Sequence, residues 1–274
     1  MTDVPAELAG EPGAAQAPAR RPAVTSIQSP FDEFVSRHGC SPRRGLFGLL
    51  VHDIGRRIIG GEFREGGPLP NEDELIQRFA ASRTTVREVM KTLASKGLIE
   101  IKTKTGTRVR NRSHWHHTDP DVMVWNYETG PSQEFLDALV DLRRVLEPAA
   151  AARAAQRATD QEIATIARAY EAMCSTIGDP KAHSDADGAF HAAIFIASHN
   201  MILARLIDLI AIGIYGNAVL APARVVSGQK RSLSYHEAVL TAIQVRDPIA
   251  AAAACDRLHG TWFPEAERVR RAQS

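Results

Sequence analysis

Apolar residues recur at helical spacing along most of the chain. The first such run, Leu46, Leu49, Leu50, Ile54, Ile58 and Ile59, predicts a helix that Gly60 and Gly61 end. A second helix is announced by Pro70, then Asn71 as cap with Glu74 three residues on, a capping-box spacing that turns Leu75 and Phe79 inward. Only Ala80 and Ala81 separate it from Ser82, whose hydroxyl can accept an orphan backbone N–H of the next helix. There, a rotation of about 100° per residue puts Val86, Val89, Met90 and Leu93 on one arc and Arg83, Thr84, Arg87 and Lys91 on the opposite one. Gly97 stops this period. Leu98 to Lys102 then reads as a strand, Thr103 to Thr107 as a turn through Gly106, and Arg108 to Arg110 as the partner strand. Two short helices across a tight turn, followed by a basic hairpin, outline a winged helix-turn-helix, a unit that reads DNA.

From Ser132 onward the pattern is almost wholly helical. Phe135, Leu136, Leu139, Val140, Leu142, Val145 and Leu146 lead into an Ala-rich stretch, and Thr159 with Glu162 and Asp179 with Pro180 mark two further starts. Asn200 opens an apolar helix, Ser232 to Val245 gives another, and Asp247 with Pro248 begins the last. About six helices with few strand signals predict an all-α bundle. The expected fold class is therefore mainly α, an N-terminal winged helix-turn-helix plus a C-terminal all-α helical bundle. Residues 1–40, rich in Ala, Pro and Gly, cannot bury a core and read as a disordered tail without the apolar run of a signal peptide. The expected boundaries place the DNA-binding domain at 41–111, a linker with a docking segment at 112–130 and the helical domain at 131–274. His114, His116 and His117 are adjacent on that linker, where packing or solvent contact explains them better than ligation.

A chain of 274 residues with 44% hydrophobic content suffices for two domains. Its formal net charge is only +1, but from Arg83 to Arg110 eight Lys and Arg (83, 87, 91, 96, 102, 104, 108, 110) face two acids, Glu88 and Glu100. The cations are gathered where a polyanion would sit. Arg83 and Arg87 oppose the dipole of their helix in its first turns, so an external anion accounts for them, either DNA phosphate or a guanine edge. Leu203 to Leu220 comes nearest to a membrane span, but Arg205 and Asp208 interrupt it, so the chain is expected to be cytoplasmic with no membrane partner. Cys40, Cys174 and Cys255 lack paired spacing, which argues for buried thiols over a disulfide framework or zinc knuckle.

Candidate chemistry lies in the bundle. Asp187 and His191 stand one helical turn apart, so carboxylate and imidazole stack on one face. Alone, such a pair is usually an ordinary surface or capping pair. His236, on a separate helix beside Val239, Leu240 and Ile243, and His259, near the end of the last helix, raise its standing, because imidazoles from different helices converge to make metal sites in bundles. The fork of Arg143 can hold a carboxylate bidentately or close a salt bridge to Glu147 one turn on, and both readings stand.

LPNEDEL, SRTTVREVM and GLIEIKTKTGTRV resemble the signatures of the GntR family of bacterial regulators over about 65 residues from Gly45. That resemblance implies operator contacts by Arg83, Thr84, Thr85 and Arg87, with Lys91, Lys104, Gly106 and Arg108 completing the helix face and wing. Asp73 stands where many relatives carry Arg, and Ala80 where the turn usually has Gly. The segment DPDVMVW resembles one in the galactonate-repressor-like branch. DADGAFHAAIFIASHN and YHEAVLTAI resemble motifs of the FCD effector-binding domain of the FadR subfamily, which implies Asp187, His191 and His236 as ligands of a divalent metal, zinc first, nickel or manganese as alternatives. The fourth ligand of that pattern falls on Leu258, and His259 is one residue late. Either the last helix shifts register after Pro248, or three protein ligands are completed by water or effector. LRRVLE matches the segment whose Arg, here Arg143, would hold the effector carboxylate, and Asn200 aligns with the family Asn, as helix cap, effector donor or both.

The resemblance thus implies a homodimeric regulator. Its affinity for a double-stranded operator would be set by a small carboxylate, with aldonate-type sugar acids first and lactate-like hydroxy acids or dicarboxylates next. Two alternatives carry different tests: a metal-dependent enzyme fused to a DNA-binding domain, which would turn over its acid, and a metal sensor, in which metal alone would alter DNA binding.

Overall fold

The structure, a computed structural model, describes residues 45–102, 106–220 and 222–260; the expected tail and Lys104 lie outside them. Helix α1 spans Gly45–Ile59, α2 Glu72–Phe79 and α3 Arg83–Ser95. The reciprocal Asn71–Glu74 capping box and the Ser82 cap form as the sequence requires. Strands β1 (Ile99–Lys102) and β2 (Gly106–Val109) pair antiparallel, with Ile99 opposite Val109 and Lys102 opposite Gly106. The wing is wider than the periodicity suggested. Gly66 N–H donates to the Val109 carbonyl at 2.9 Å and Leu69 N–H to the Thr107 carbonyl at 2.9 Å, so the stretch before α2 covers the other edge of β2. Leu50, Ile54, Ile58, Leu75, Val86, Val89, Leu93 and Leu98 form the core of this unit.

Ala80 closes α2 in the left-handed region at φ 49°, ψ 37°. A Cβ there costs on the order of 1 kcal/mol, less the entropy that Gly gives up on folding. Ala80→Gly is therefore expected to raise the melting temperature by a few degrees; a lower one in thermal denaturation would sink this account of the turn.

The stretch expected as a linker is largely ordered. A 3₁₀ turn at Arg112–His114 leads to helix α4, Pro120–Glu128, which Asp119 caps. Its helical character escaped the periodicity because it is apolar on several sides: Val122 and Trp125 join the first core, while Met123, Val124 and Tyr127 join Leu209, Ile212 and Tyr215. The Trp125 ring lies against the bare backbone of Gly55 in α1, and the Tyr127 ring against that of Gly216. Trp125 Nε1 donates to His52 Nδ1 at 2.9 Å. Lys96, at the end of α3, holds Asp119 at 2.9 Å and Asp121 at 2.7 Å.

Among the described residues seven further helices follow: α5 Gln133–Arg157, α6 Asp160–Ser175, α7 Pro180–Ala197, α8 Met201–Arg205, α9 Ile207–Leu220, α10 Pro222–Gln244 and α11 Pro248–Gly260. Two differ from expectation. The helix from Asn200 breaks at Leu206 into α8 and α9, and α10 begins ten residues before Ser232. Ala150, Ala151, Ala154 and Ala155 of α5 and Ala251 and Ala254 of α11 share the core, and such small side chains let helices approach closely. Phe190, Phe195, Ile166, Met173 and Ile243 fill the remainder. Cys255 is buried as expected, but Cys174 is exposed. Among the described residues no helix is long and apolar enough to cross a membrane.

Candidate functional site

Arg83, Thr84, Arg87 and Lys91 stand exposed along α3. Thr85 is half-buried, and its hydroxyl lies 2.8 Å from that of Ser82, within the cap. The arginines already have internal counter-ions: Arg83 lies 2.7 Å from Asp73, and Arg87 Nε 3.1 Å from Glu72. The sequence pattern assigned them an external anion only. Exposed pairs of this kind contribute at most about 1 kcal/mol, so phosphate can replace them at little cost. Lys91 pairs with Glu88 at 2.8 Å on its own helix. Arg108 donates to the Gly66 carbonyl at 2.9 Å, and Gly106 begins β2 at φ 75°. Lys96 leaves the cationic footprint altogether, because Asp119 and Asp121 hold it inside.

The second locality is buried between α5, α7, α10 and α11. Asp187 and His191 rise from one face of α7, and His236 reaches them from α10: Asp187 Oδ1 lies 3.3 Å from His191 Nε2 and 3.1 Å from His236 Nε2. His236 Nδ1 lies 2.8 Å from the Ser232 carbonyl, which accepts hydrogen bonds only, so that nitrogen must carry the proton. In a neutral ring Nε2 is then a lone pair aimed at a carboxylate oxygen. Two acceptors face one another, and only a cation between them, a proton or a metal ion, makes that stable. An imidazole that donates its other N–H to a backbone carbonyl is also how metal-ligating histidines are oriented.

Glu147 was missed as a site residue, yet it stands at the centre. Its Oε1 accepts from Arg143 Nε, while Oε2 lies 2.8 Å from His191 Nδ1 and 3.0 Å from His259 Nε2. Neither approach has good hydrogen-bond alignment. Arg143 closes the bridge to Glu147, and its Nη2 also reaches 3.5 Å from His191 Nε2. Burial opposes charge on Glu147, but Arg143 and then His191 hold its carboxyl well below the usual range. Asp187 is likewise kept ionised against burial by His191 and His236. His259 does not join Asp187, His191 and His236; it groups with Glu147 and Cys255. Asn200 commits its side-chain oxygen to the backbone N–H groups of Ile202 and Leu203, capping α8.

Residues 50–109 match the family described as bacterial regulatory proteins, gntR family, and residues 138–259 match the FCD domain. The galactonate operon transcriptional repressor of Escherichia coli K12 is 35% identical over 204 residues, covering 74% of this chain and 88% of that protein. The chain belongs to the GntR family. It is a transcriptional regulator of the GntR type with an FCD domain, and the enzyme alternative falls with that, since the relatives it matches along most of their length are regulators. The Glc operon transcriptional activator of the same strain is 33% identical over 166 residues, 59% of this chain and 64% of that protein. The solved structure of Lar, which controls expression of the Listeria monocytogenes agr system, superposes with TM-score 0.56 over 82% of this chain and 98% of its own, at 16% identity, a likeness of fold alone.

In the FCD domain of this GntR regulator, burial pushes the His191 imidazole down, but Glu147 and Asp187 reverse this and raise it to about 9 without metal. A folded-state value above the ordinary 6.5 means that the protonated ring stabilises the fold. That contribution is fully present below pH 6.5 and lost as pH rises through about 9. Chelated protein is therefore expected to melt several degrees lower above pH 9 than at pH 6.5, with His191→Gln removing much of that slope. Identical pH profiles for the two proteins would refute the buried imidazolium.

Proposed function

We propose that a divalent metal ion held by Asp187, His191 and His236 receives a small carboxylate, and that this ligand sets the affinity of a homodimer for a pseudo-palindromic operator. The observation that carries this is the convergence of two imidazole nitrogens, one fixed by the Ser232 carbonyl, on a single buried carboxylate oxygen. Borderline-soft ions of the zinc class suit such a nitrogen and oxygen set, with nickel or manganese as alternatives. When bound, the ion supplies a Lewis-acidic point for a carboxylate and a neighbouring hydroxyl.

Charge supports a carboxylate. Asp187 and Glu147 are held ionised and Arg143 carries one positive charge, so the acids exceed the arginine by one. A divalent ion that displaces the His191 proton leaves one positive charge in surplus, which one carboxylate cancels. Ser184 Oγ, one turn before Asp187, and Gln229 Nε2, two turns before His236, are buried with no hydrogen-bond partner among the described residues. They suit the hydroxyl groups of a sugar acid or hydroxy acid. The name of the galactonate operon repressor points to a sugar acid.

A route to the DNA face exists in the packing. Helix α7 packs on α9, α9 on α4, and α4 on α1. For this route to switch affinity, the acid must bind two arrangements of the chain unequally.

Thermal-shift titration with aldonates, lactate-like hydroxy acids and dicarboxylates, with and without chelator, tests this together with operator binding. One acid should raise the melting temperature, lose that effect on chelation, and change operator affinity. Acids that stabilise equally without metal would overturn the proposal, and a change in operator affinity with metal alone would make the protein a metal sensor.

A further inference from the structure

A second group of donors lies against the first. Cys255 and His259 stand one turn apart on α11, and Glu147 approaches from α5; all three are buried, and Sγ, an imidazole nitrogen and a carboxylate oxygen lie within 4.8 Å of one another. His259 Nε2 is 3.0 Å from Glu147 Oε2 and 3.9 Å from Cys255 Sγ. The plan repeats that of the Asp187 cluster: a ligand pair at one-turn spacing on one helix and a third donor from a neighbour. Glu147 divides its oxygens. Oε1 accepts from Arg143, whereas the buried Oε2 faces the imidazoles of His191 at 2.8 Å and His259 at 3.0 Å.

We infer that Glu147, Cys255 and His259 form a second, thiolate-bearing site for a soft divalent cation of the zinc class, adjacent to the Asp187–His191–His236 cluster and distinct from it.

The dimensions fit. Tetrahedral zinc with bonds of about 2.0–2.3 Å sets its ligand atoms roughly 3.3–3.6 Å apart. The separations of 3.0 and 3.9 Å bracket that range and the third lies within 4.8 Å, so shifts of about an ångström suffice. The donor set also suits a cation, because carboxylate and thiolate bring two negative groups to a divalent ion in a buried site. Burial keeps the Cys255 thiol protonated in the metal-free protein. Binding therefore forms the metal–sulfur bond as the S–H proton leaves to solvent, with no change of oxidation state. A thiolate selects zinc-class ions over magnesium, calcium or manganese. Arg143 retains Oε1 throughout, and filling this site does not require an ion at Asp187.

Cobalt(II) titration of the full chain, stripped with chelator, provides the test, because thiolate coordination gives a near-ultraviolet charge-transfer band that nitrogen and oxygen ligands do not. The band should appear in the wild type, persist in Cys174→Ser and Asp187→Asn, and vanish in Cys255→Ser. Persistence in Asp187→Asn separates this site from the proposed effector site. A wild type without the band at saturation, a band surviving Cys255→Ser, or one lost equally in Asp187→Asn would each overturn the inference. Should Cys255→Ser fail to fold by circular dichroism, alkylation mapped by mass spectrometry in Asp187→Asn decides instead. Zinc must slow modification of Cys255 and leave Cys174 unaffected, and unchanged rates at Cys255 would overturn the inference.

Discussion

Arg87→Ala is expected to weaken operator binding by about ten- to a hundredfold, the worth of one well-made bidentate base contact, roughly 1–3 kcal/mol. The residue is exposed on the arc of α3 opposite Val86, Val89, Met90 and Leu93, and its partner Glu72 is itself at the surface. Truncation therefore leaves the core intact, and the loss is one of binding rather than of folding. Lys91→Ala provides the contrast. A phosphate contact should cost less, act equally on all sequences, and lower the salt slope by about one. Fluorescence anisotropy at fixed salt measures both, and an Arg87→Ala protein with wild-type affinity would remove that residue from the DNA interface.

The second large effect concerns metal. His191→Ala is expected to lose one equivalent of bound ion per chain, together with the response to the acid, while the chelated protein still binds its operator. The side chain sits between Asp187 and Glu147, so its removal deletes a ligand and also leaves two buried carboxylates less compensated. Breaking a buried ionic cluster costs on the order of 3–5 kcal/mol, so His191→Gln, which keeps a polar group in the space, is the companion variant. Elemental analysis showing the same metal content in wild type and both variants would remove His191 from the ligand set.

The residues that announced themselves in the sequence did so through short-range rules. Asn71 with Glu74, Ser82, and Thr159 with Glu162 are caps whose partners lie within one turn, and each forms as written. Ala80 in its left-handed turn follows from the spacing of two caps. What stayed hidden was long-range. Lys96 counted as part of a basic surface until Asp119 and Asp121 claimed it, and nothing local marks a lysine that turns inward. Glu147 looked like the partner of Arg143 and no more, because its contacts to His191 and His259 join helices far apart in the chain. Asp187, His191 and His236 were legible through spacing and resemblance, whereas the one-residue offset of His259 acquired meaning only beside Cys255. Helix α4 was obscured by being wetted on no consistent side, which erases the amphipathic signal.

That helix also decides where the molecule can be cut. Because Trp125 fills the hollow over Gly55 while Tyr127 does the same over Gly216, the two halves hold one helix in joint ownership. A fragment ending at residue 111 would carry an open socket walled by α1, sticky and poorly sealed, whereas one extended through Glu128 would bring its own plug. The longer fragment is therefore expected to remain soluble where the one that stops at the end of the wing precipitates.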